Sequence, residues 1–218
     1  MSNRFLQYKH IFFDLDGTLC DTEKDLRNGW LKVMSDLALD VPEFDKLFRI
    51  GPQAPDMARM LFPSLDEAEV KKAVELFVAT YDHSGHVLTR PYPWIEGFLH
   101  YLRENGVKCY ILTNKRKYPT KYLVNKFGWN DLFDGVFTPD MHEGKRYAKS
   151  ELLGILLKEL DIVPESALII GDTTVDINAG KSNNISAAGV LWGYGFEEEL
   201  TGSGCDMLLS AKDFEQWL

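Results

Sequence analysis

The sequence predicts an α/β fold: a parallel sheet covered by helices on both faces, with a helical domain inserted directly after the first strand. Three observations carry this. The short apolar run "HIFF" ends at Asp14, as a strand buried on both faces does. From residue 88 onward, strand-like and helix-like segments alternate, the pattern of parallel strands joined by crossover helices. Between them, residues 22–87 show helical periodicity and no convincing strand.

The elements follow in order. Across residues 22–37, Leu26, Trp30, Val33, Met34 and Leu37 recur at helical spacing. A second amphipathic helix is predicted in "FPSLDEAEVKKAVELFVATY". Ser64 and Glu67 form its expected capping box, and Val70, Val74, Phe77 and Tyr81 its apolar stripe. After "TRPYPW" a helix over 95–102 stops at Gly106 and gives way to the strand "VKCYILT". A helix over 121–127 stops at Gly128, and "GVFT" reads as a short strand. A helix over 150–160 precedes the strand "ALIIGD"; a short helix leads to "SAAGVLWG", and "DMLLS" and "DFEQWL" finish the chain. The expected division is a core of residues 1–20 and 88–218 and a helical insertion of 21–87, joined by linkers near residues 20–21 and 85–89.

Composition narrows the class of function. The 218 residues are 45% hydrophobic, enough for a substantial core, and carry a formal net charge of -9. Such an acidic chain repels nucleic acid and anionic lipid, so neither is an expected partner. The N-terminus lacks the apolar stretch of a secretory signal, and no apolar run is long enough to span a bilayer. Cys20, Cys109 and Cys205 are far apart and form no CxxC pair. They read as reduced cysteines, and the expected location is cytoplasmic.

The chemistry gathers at strand ends, where open parallel sheets bind ligands. Asp14 and Asp16 follow "IFF", Thr113 and Asn114 follow "YIL", Lys145 and Lys149 lie beyond "VFT", and Asp172 follows "LIIG" with Asp176 one turn on. Carboxylates brought this close repel one another unless a hard cation joins them. A site of oxygen ligands without Cys or His suits Mg²⁺. Lysine and Mg²⁺ together suggest a phosphorylated substrate. Asp14 is the candidate nucleophile and Asp16 the candidate acid and base. Gly17 lets the chain turn and offers backbone amides to the transferring group. Lys149, Thr113 and Asn114 would balance the phosphoryl oxygens.

"FFDLDGTLCDT", "YILTNK", a downstream lysine and "LIIGDTTVDINAG" resemble, in order, the four motifs of the haloacid-dehalogenase-like (HAD) superfamily. The resemblance covers essentially the whole chain. It implies a Rossmann-like parallel sheet core with a helical cap domain after the first strand. It further implies Asp14 as nucleophile, Asp16 as acid/base, and Mg²⁺ held by Asp14, the backbone carbonyl of Asp16 and Asp172, with Asp176 in support. The acid at Asp16 separates the family's phosphatases from its true dehalogenases. "TRPYPWIEGFLHYLRENGVKCYILTNK" and "GVLWGYGFEEELTGSGCDMLL" are similar to phosphoglycolate phosphatases, which implies phosphoric monoester hydrolysis of a small phosphorylated metabolite. Trp94 replaces a glycine usual in that motif. The usual Lys-Pro-x-Pro of the third motif is also absent, leaving Lys145 in "EGKRY" and Lys149 in "AKSELL" as candidates. Lys149, directly before a helix, is the better match.

Other readings stand beside these. A phosphomutase or pyrophosphatase would use the same motifs, and a phospho-acceptor regulatory domain also combines aspartates, Thr and Lys on a parallel sheet. A non-catalytic scaffold has no evident reason to gather so many like charges. Lys115, Arg116 and Lys117 read as a solvated surface. His83 and His86 read as polar residues at the exit of the insertion, and Met57 and Met60 as its core. Arg49 and Gly51, in "LFRIGPQAP", lie where capped relatives place a substrate-facing loop, so Arg49 is the candidate for a substrate carboxylate.

Overall fold

In a computed structural model, which describes residues 4–218, the chain divides into two compact units. One comprises Met1–Asp21 and Pro91–Leu218, the other Thr22–Arg90.

The first unit is built on a six-stranded sheet in which every pairing is parallel. Its strands are β1 (His10–Phe13), β4 (Lys108–Leu112), β5 (Gly135–Phe137), β6 (Ala167–Gly171), β7 (Ser186–Val190) and β8 (Met207–Leu209). Two short strands, β2 (Cys20–Asp21) and β3 (Arg90–Pro91), lie where the chain leaves and re-enters this unit. The spatial order is β5-β4-β1-β6-β7-β8, so the chain builds outward from β1 on one side, then crosses back and builds outward on the other. That reversal is a topological switch point between β1 and β6, the place where such sheets bind ligands.

Alternation along each strand sends side chains to two cores. Ile11 and Phe13 of β1, with Leu168 and Ile170 of β6, pack under α5 (Ile95–Glu104) and α6 (Lys117–Lys126). Phe12, Ala167 and Ile169 point the other way, under α7 (Lys149–Glu159) and α8 (Thr174–Ser182). α9 (Glu197–Gly202) adds Leu200 to this second core. Burial on both faces explains why the strands read as apolar runs rather than as alternating sequences. The register matters for function. Phe13 stands opposite both Ile111 and Ile170, so β1, β4 and β6 end nearly level. Their next residues, Asp14, Leu112–Thr113 and Gly171–Asp172, therefore share one edge.

The second unit is helical: α1 (Glu23–Asp36), α2 (Phe44–Leu47), α3 (Ala54–Leu61) and α4 (Glu67–Asp82) surround a core of its own. Trp30 of α1 stacks on Phe77 of α4 with ring centroids 4.2 Å apart. The carboxylate of Asp25, buried in the first turn of α1, accepts three hydrogen bonds at the far end of the unit. They come from the Leu88 amide at 3.0 Å and from the amide and hydroxyl of Thr89, both at 2.7 Å.

Several expectations are corrected. The capping box of α4 is Asp66 with Glu69, their reciprocal bonds both 2.9 Å, not Ser64 with Glu67. The helix starts two residues later than the first S-x-x-E pattern suggests, which puts Val70, Ala73, Phe77 and Tyr81 on the buried face and leaves Val74 at its margin. Helix α3 was not foreseen. Pro55 in its first turn starts it, where a missing N–H costs nothing. Met57 is core, but Met60 is 41% exposed on the outer face of α3. α6 begins at Lys117, four residues earlier than predicted, with Pro119 in its first turn. His86 is fully buried against Tyr81, whereas His83 is exposed and its Nδ1 pairs with the Ala79 carbonyl. Among the described residues, no helix is long and apolar enough to cross a membrane.

Candidate active site

Three carboxylates meet at the switch point. Asp14 extends β1, Asp172 extends β6, and Asp176 rises from the first turn of α8. One carboxylate oxygen from each lies within 4.8 Å of the others, and all three residues are buried. Asp176 is fixed by local geometry, reaching back to accept the amide of Thr173 at 3.1 Å and its hydroxyl at 2.8 Å.

Lys149, the first residue of α7, projects into this cluster. Its ammonium donates to Asp176 Oδ1 at 2.6 Å and lies 2.8 Å from Asp14 Oδ1. The second contact is an ion pair out of line for a hydrogen bond, so buried Asp14 Oδ1 has no aligned donor. Lys145, the other third-motif candidate, is exposed and pairs with Glu151 at 3.3 Å.

Asp16 points elsewhere. Its carboxylate accepts from Lys115 Nζ at 2.8 and 3.1 Å, with only 3% of the lysine side chain exposed. Lys115 is therefore not the solvated surface residue its charged neighbours suggest. Arg116 is half-buried, and Lys117 does face solvent. Thr113 is buried at the end of β4, and its hydroxyl accepts the Lys115 amide at 3.2 Å; Asn114 beside it is half-buried. The expectation for Gly17 is half corrected. It does turn the chain, at φ 83, but its own amide is spent on the Cys20 carbonyl at 2.8 Å. Its second role is space: a Cβ there would fall 2.2 Å from Asp172 Oδ2. Arg49 belongs to the helical unit. It is exposed, and its guanidinium donates to the Phe48 carbonyl at 2.9 Å.

The electrostatics describe a centre short of positive charge. Among the described residues, the ion pairs of Asp14, Asp16 and Asp176 are with Lys115 and Lys149, so with Asp172 four carboxylates stand against two ammonium groups, a formal deficit of one divalent cation. Burial, then the charges of Asp176 and Asp16, push the Asp14 carboxyl up to about 6, against the pull of Lys149. Burial and the charge of Asp14 hold Asp172 well above the usual carboxylate range. Burial opposes the charge on Lys149, but Asp14 and Asp176 outweigh it and raise its proton affinity. The three clustered carboxylates, the oxygen-only donor set and the charge deficit together fit a hard cation such as Mg²⁺.

A sequence profile of haloacid dehalogenase-like hydrolases matches residues 11–190. The chain belongs to this family. Among its relatives, a protein named phosphoglycolate phosphatase from Aquifex aeolicus is 33% identical over 188 residues, covering 84% of this chain and 85% of that one. A 5'-nucleotidase from Pseudomonas aeruginosa is 28% identical over 201 residues, covering 92% and 90%. In three dimensions, a haloacid dehalogenase-like family hydrolase from Streptococcus pneumoniae superposes with a TM-score of 0.84 at 24% identity, covering 96% of this chain and 97% of that one. The expected superfamily and the parallel α/β core are borne out. The expected enzyme class, phosphoric monoester hydrolase, agrees with the names of these two sequence relatives.

Proposed function

We propose that the protein is a cytoplasmic, Mg²⁺-dependent phosphatase for a small phosphorylated metabolite resembling phosphoglycolate, acting through an aspartyl-phosphate on Asp14. The observation that carries this reading is the buried Asp14 oxygen that has no aligned donor, 2.8 Å from the Lys149 ammonium and clustered with Asp172 and Asp176. A carboxylate held so, beside one ammonium and two further carboxylates, is placed to meet both a cation and a phosphoryl group.

In the first step an Asp14 oxygen attacks phosphorus and the ester P–O bond breaks. Asp16 gives a proton to the departing alkoxide. In the second step Asp16 takes a proton from water, whose oxygen attacks the phosphoryl group. The bond to Asp14 breaks, inorganic phosphate leaves and Asp14 is regenerated. Lys149, with Thr113 and Asn114, balances charge on the phosphoryl oxygens. Asp14, Asp172, Asp176 and the backbone carbonyl of Asp16 would hold Mg²⁺, whose charge neutralises the phosphoryl group and the carboxylates around it. The helical unit acts as a cap that recognises the rest of the substrate, with Arg49 meeting a substrate carboxylate.

A phosphate-release screen over phosphoglycolate, sugar phosphates and nucleoside monophosphates, in EDTA and in Mg²⁺, tests the reading. Mg²⁺-dependent release, strongest with a small carboxylated phosphate, is expected. Full activity in EDTA, or no release from any monoester, would refute it.

A further inference from the structure

The loop of residues 191–196, "LWGYGF", follows β7 and plays no part in the mechanism above. It lies against the site at several points. The backbone amide of Tyr194 donates to Asp172 Oδ2 at 2.8 Å. The other oxygen, Oδ1, accepts the Thr18 hydroxyl at 3.2 Å. The two segments that hold this carboxylate are themselves tied together. Trp192 Nε1 donates to the Thr18 carbonyl at 3.1 Å, and the Tyr194 hydroxyl donates to Asp21 Oδ1 at 2.9 Å. Together these contacts close a ring: Asp172 to Tyr194, through its ring to Asp21, back along the chain to Thr18, and to Asp172 again.

The sequence of the loop fits this close approach. A Cβ on Gly193 would stand 2.2 Å from the Cβ of Asp172, and one on Gly195 would stand 1.9 Å from the Asp172 carbonyl oxygen. Glycines on either side of Tyr194 thus let its amide reach the carboxylate, while the side chain between them anchors the loop elsewhere.

We propose that Tyr194 and Asp21 are a positioning pair for the metal ligand Asp172. The hydroxyl-to-carboxylate bond holds the loop so that the Tyr194 amide fixes the carboxylate in its ligating orientation. Groups that orient a metal ligand commonly change metal affinity by about 10–100-fold when removed. The Tyr194 hydroxyl acts one bond further out and at the surface, so the expected effect is at the low end, about tenfold.

The proposal rests on the Mg²⁺ reading of the site, and its test separates the two. The melting temperature is followed while Mg²⁺ is added to wild type, Tyr194→Phe, Asp21→Asn and the double variant. Phe keeps the ring and the amide and removes only the hydroxyl. Each single variant is expected to need about tenfold more Mg²⁺ for half its thermal shift, and the double variant no more than either single one. In turnover, the loss at low Mg²⁺ should disappear at saturating Mg²⁺, with KM for the substrate unchanged. A merely structural bond would lower the melting temperature without moving the Mg²⁺ midpoint, and that result overturns the proposal. Additive single effects also overturn it. A wild-type protein whose melting does not respond to Mg²⁺ at all refutes the metal reading itself, and the proposal falls with it.

Discussion

Lys115 and Asp16 form a largely buried ion pair, the ammonium 2.8 Å from one carboxylate oxygen and 3.1 Å from the other. This contact turns the Asp16 side chain toward the end of β4, while the carboxylates of Asp14, Asp172 and Asp176 cluster together. The side chain proposed for proton transfer is thus oriented by a second cation, while Lys149 is shared between Asp14 and Asp176.

Lys115→Met should lower kcat by about 10–100-fold with little change in KM, because a misdirected acid/base group loses part of the 10²–10⁴-fold it supplies. The double variant with Asp16→Ala should be no slower than Asp16→Ala alone, which steady-state kinetics would show. Removing one member of a buried pair also destabilises, here by roughly 3 kcal/mol, at the low end of the range since Asp16 keeps some solvent contact. Urea denaturation measures this.

Asp14→Asn should abolish phosphate release, a loss of several powers of ten of the kind seen when a covalent nucleophile is removed, at about 10⁶-fold. The fold should survive, because Asn fills the same volume and removes a charge from a crowded centre. Circular dichroism and a phosphate-release assay on the same sample check both halves.

The dependence on pH has a definite sign. Burial and its neighbours raise the folded Asp14 carboxyl from 3.8 to about 6, and Asp172 moves in the same direction. A carboxyl raised on folding contributes stability that is fully present below its unfolded value and lost as pH rises through its folded value. The metal-free protein therefore carries a penalty from Asp14 that grows between about pH 4 and pH 6, and Asp172, raised in the same direction, adds to it. Mg²⁺ relieves it, because only the ionised carboxylates bind metal. The rise in melting temperature on adding Mg²⁺ should be smaller near pH 5 than above about pH 7. An equal rise at both values would contradict the assignment.

Much of this is readable because the candidate site residues sit beside strong local signals. Asp14, Thr113 and Asp172 each follow an apolar run that can only be a buried strand, so their common edge follows from the parallel sheet. Lys115 was not readable in the same way. It begins a run of three cations, and nothing local says that the first turns inward while Lys117 faces solvent; that depends on how α6 starts against the end of β4. The cap of α4 failed for a different reason. Ser64–Glu67 and Asp66–Glu69 fit the same pattern two residues apart, and packing against Trp30 and the rest of the helical core, not local preference, chooses between them. The loop around Tyr194 carries a signal in "WGYG", where two glycines flank an aromatic, but its target became visible only with the chain folded.

Asp25 should prove essential to the helical unit although it takes no part in chemistry. Its buried carboxylate accepts the Leu88 amide and both donors of Thr89. Asp25→Ala leaves the two buried donors of Thr89 without their acceptor, at about 1–3 kcal/mol for each such group, so a loss near 3 kcal/mol is expected. Hydrogen exchange at Leu88 and Thr89 should accelerate. Thr89→Val removes only the hydroxyl contact and should cost about 1 kcal/mol.

We infer that Arg49 contributes to the choice of substrate. Its side chain is exposed and its guanidinium donates to the Phe48 carbonyl, while its amide faces the sulfur of Met57 at 3.4 Å. The backbone of this position is therefore set by the helical core while the charged end remains available. Phosphoglycolate presents a carboxylate at its non-phosphate end, whereas p-nitrophenyl phosphate presents none. If Arg49 binds that group, Arg49→Ala should raise KM for phosphoglycolate and leave p-nitrophenyl phosphate nearly unchanged. The loss of one hydrogen bond to a charged group, roughly 1.5–3 kcal/mol, corresponds to about one to two powers of ten in kcat/KM. Arg49→Lys should recover part of it, since the charge remains while the paired donors are lost. Parallel kinetics on the two substrates decide the matter: an equal loss on both would make Arg49 a structural residue of the helical unit, and recognition of the carboxylate would have to come from another side chain.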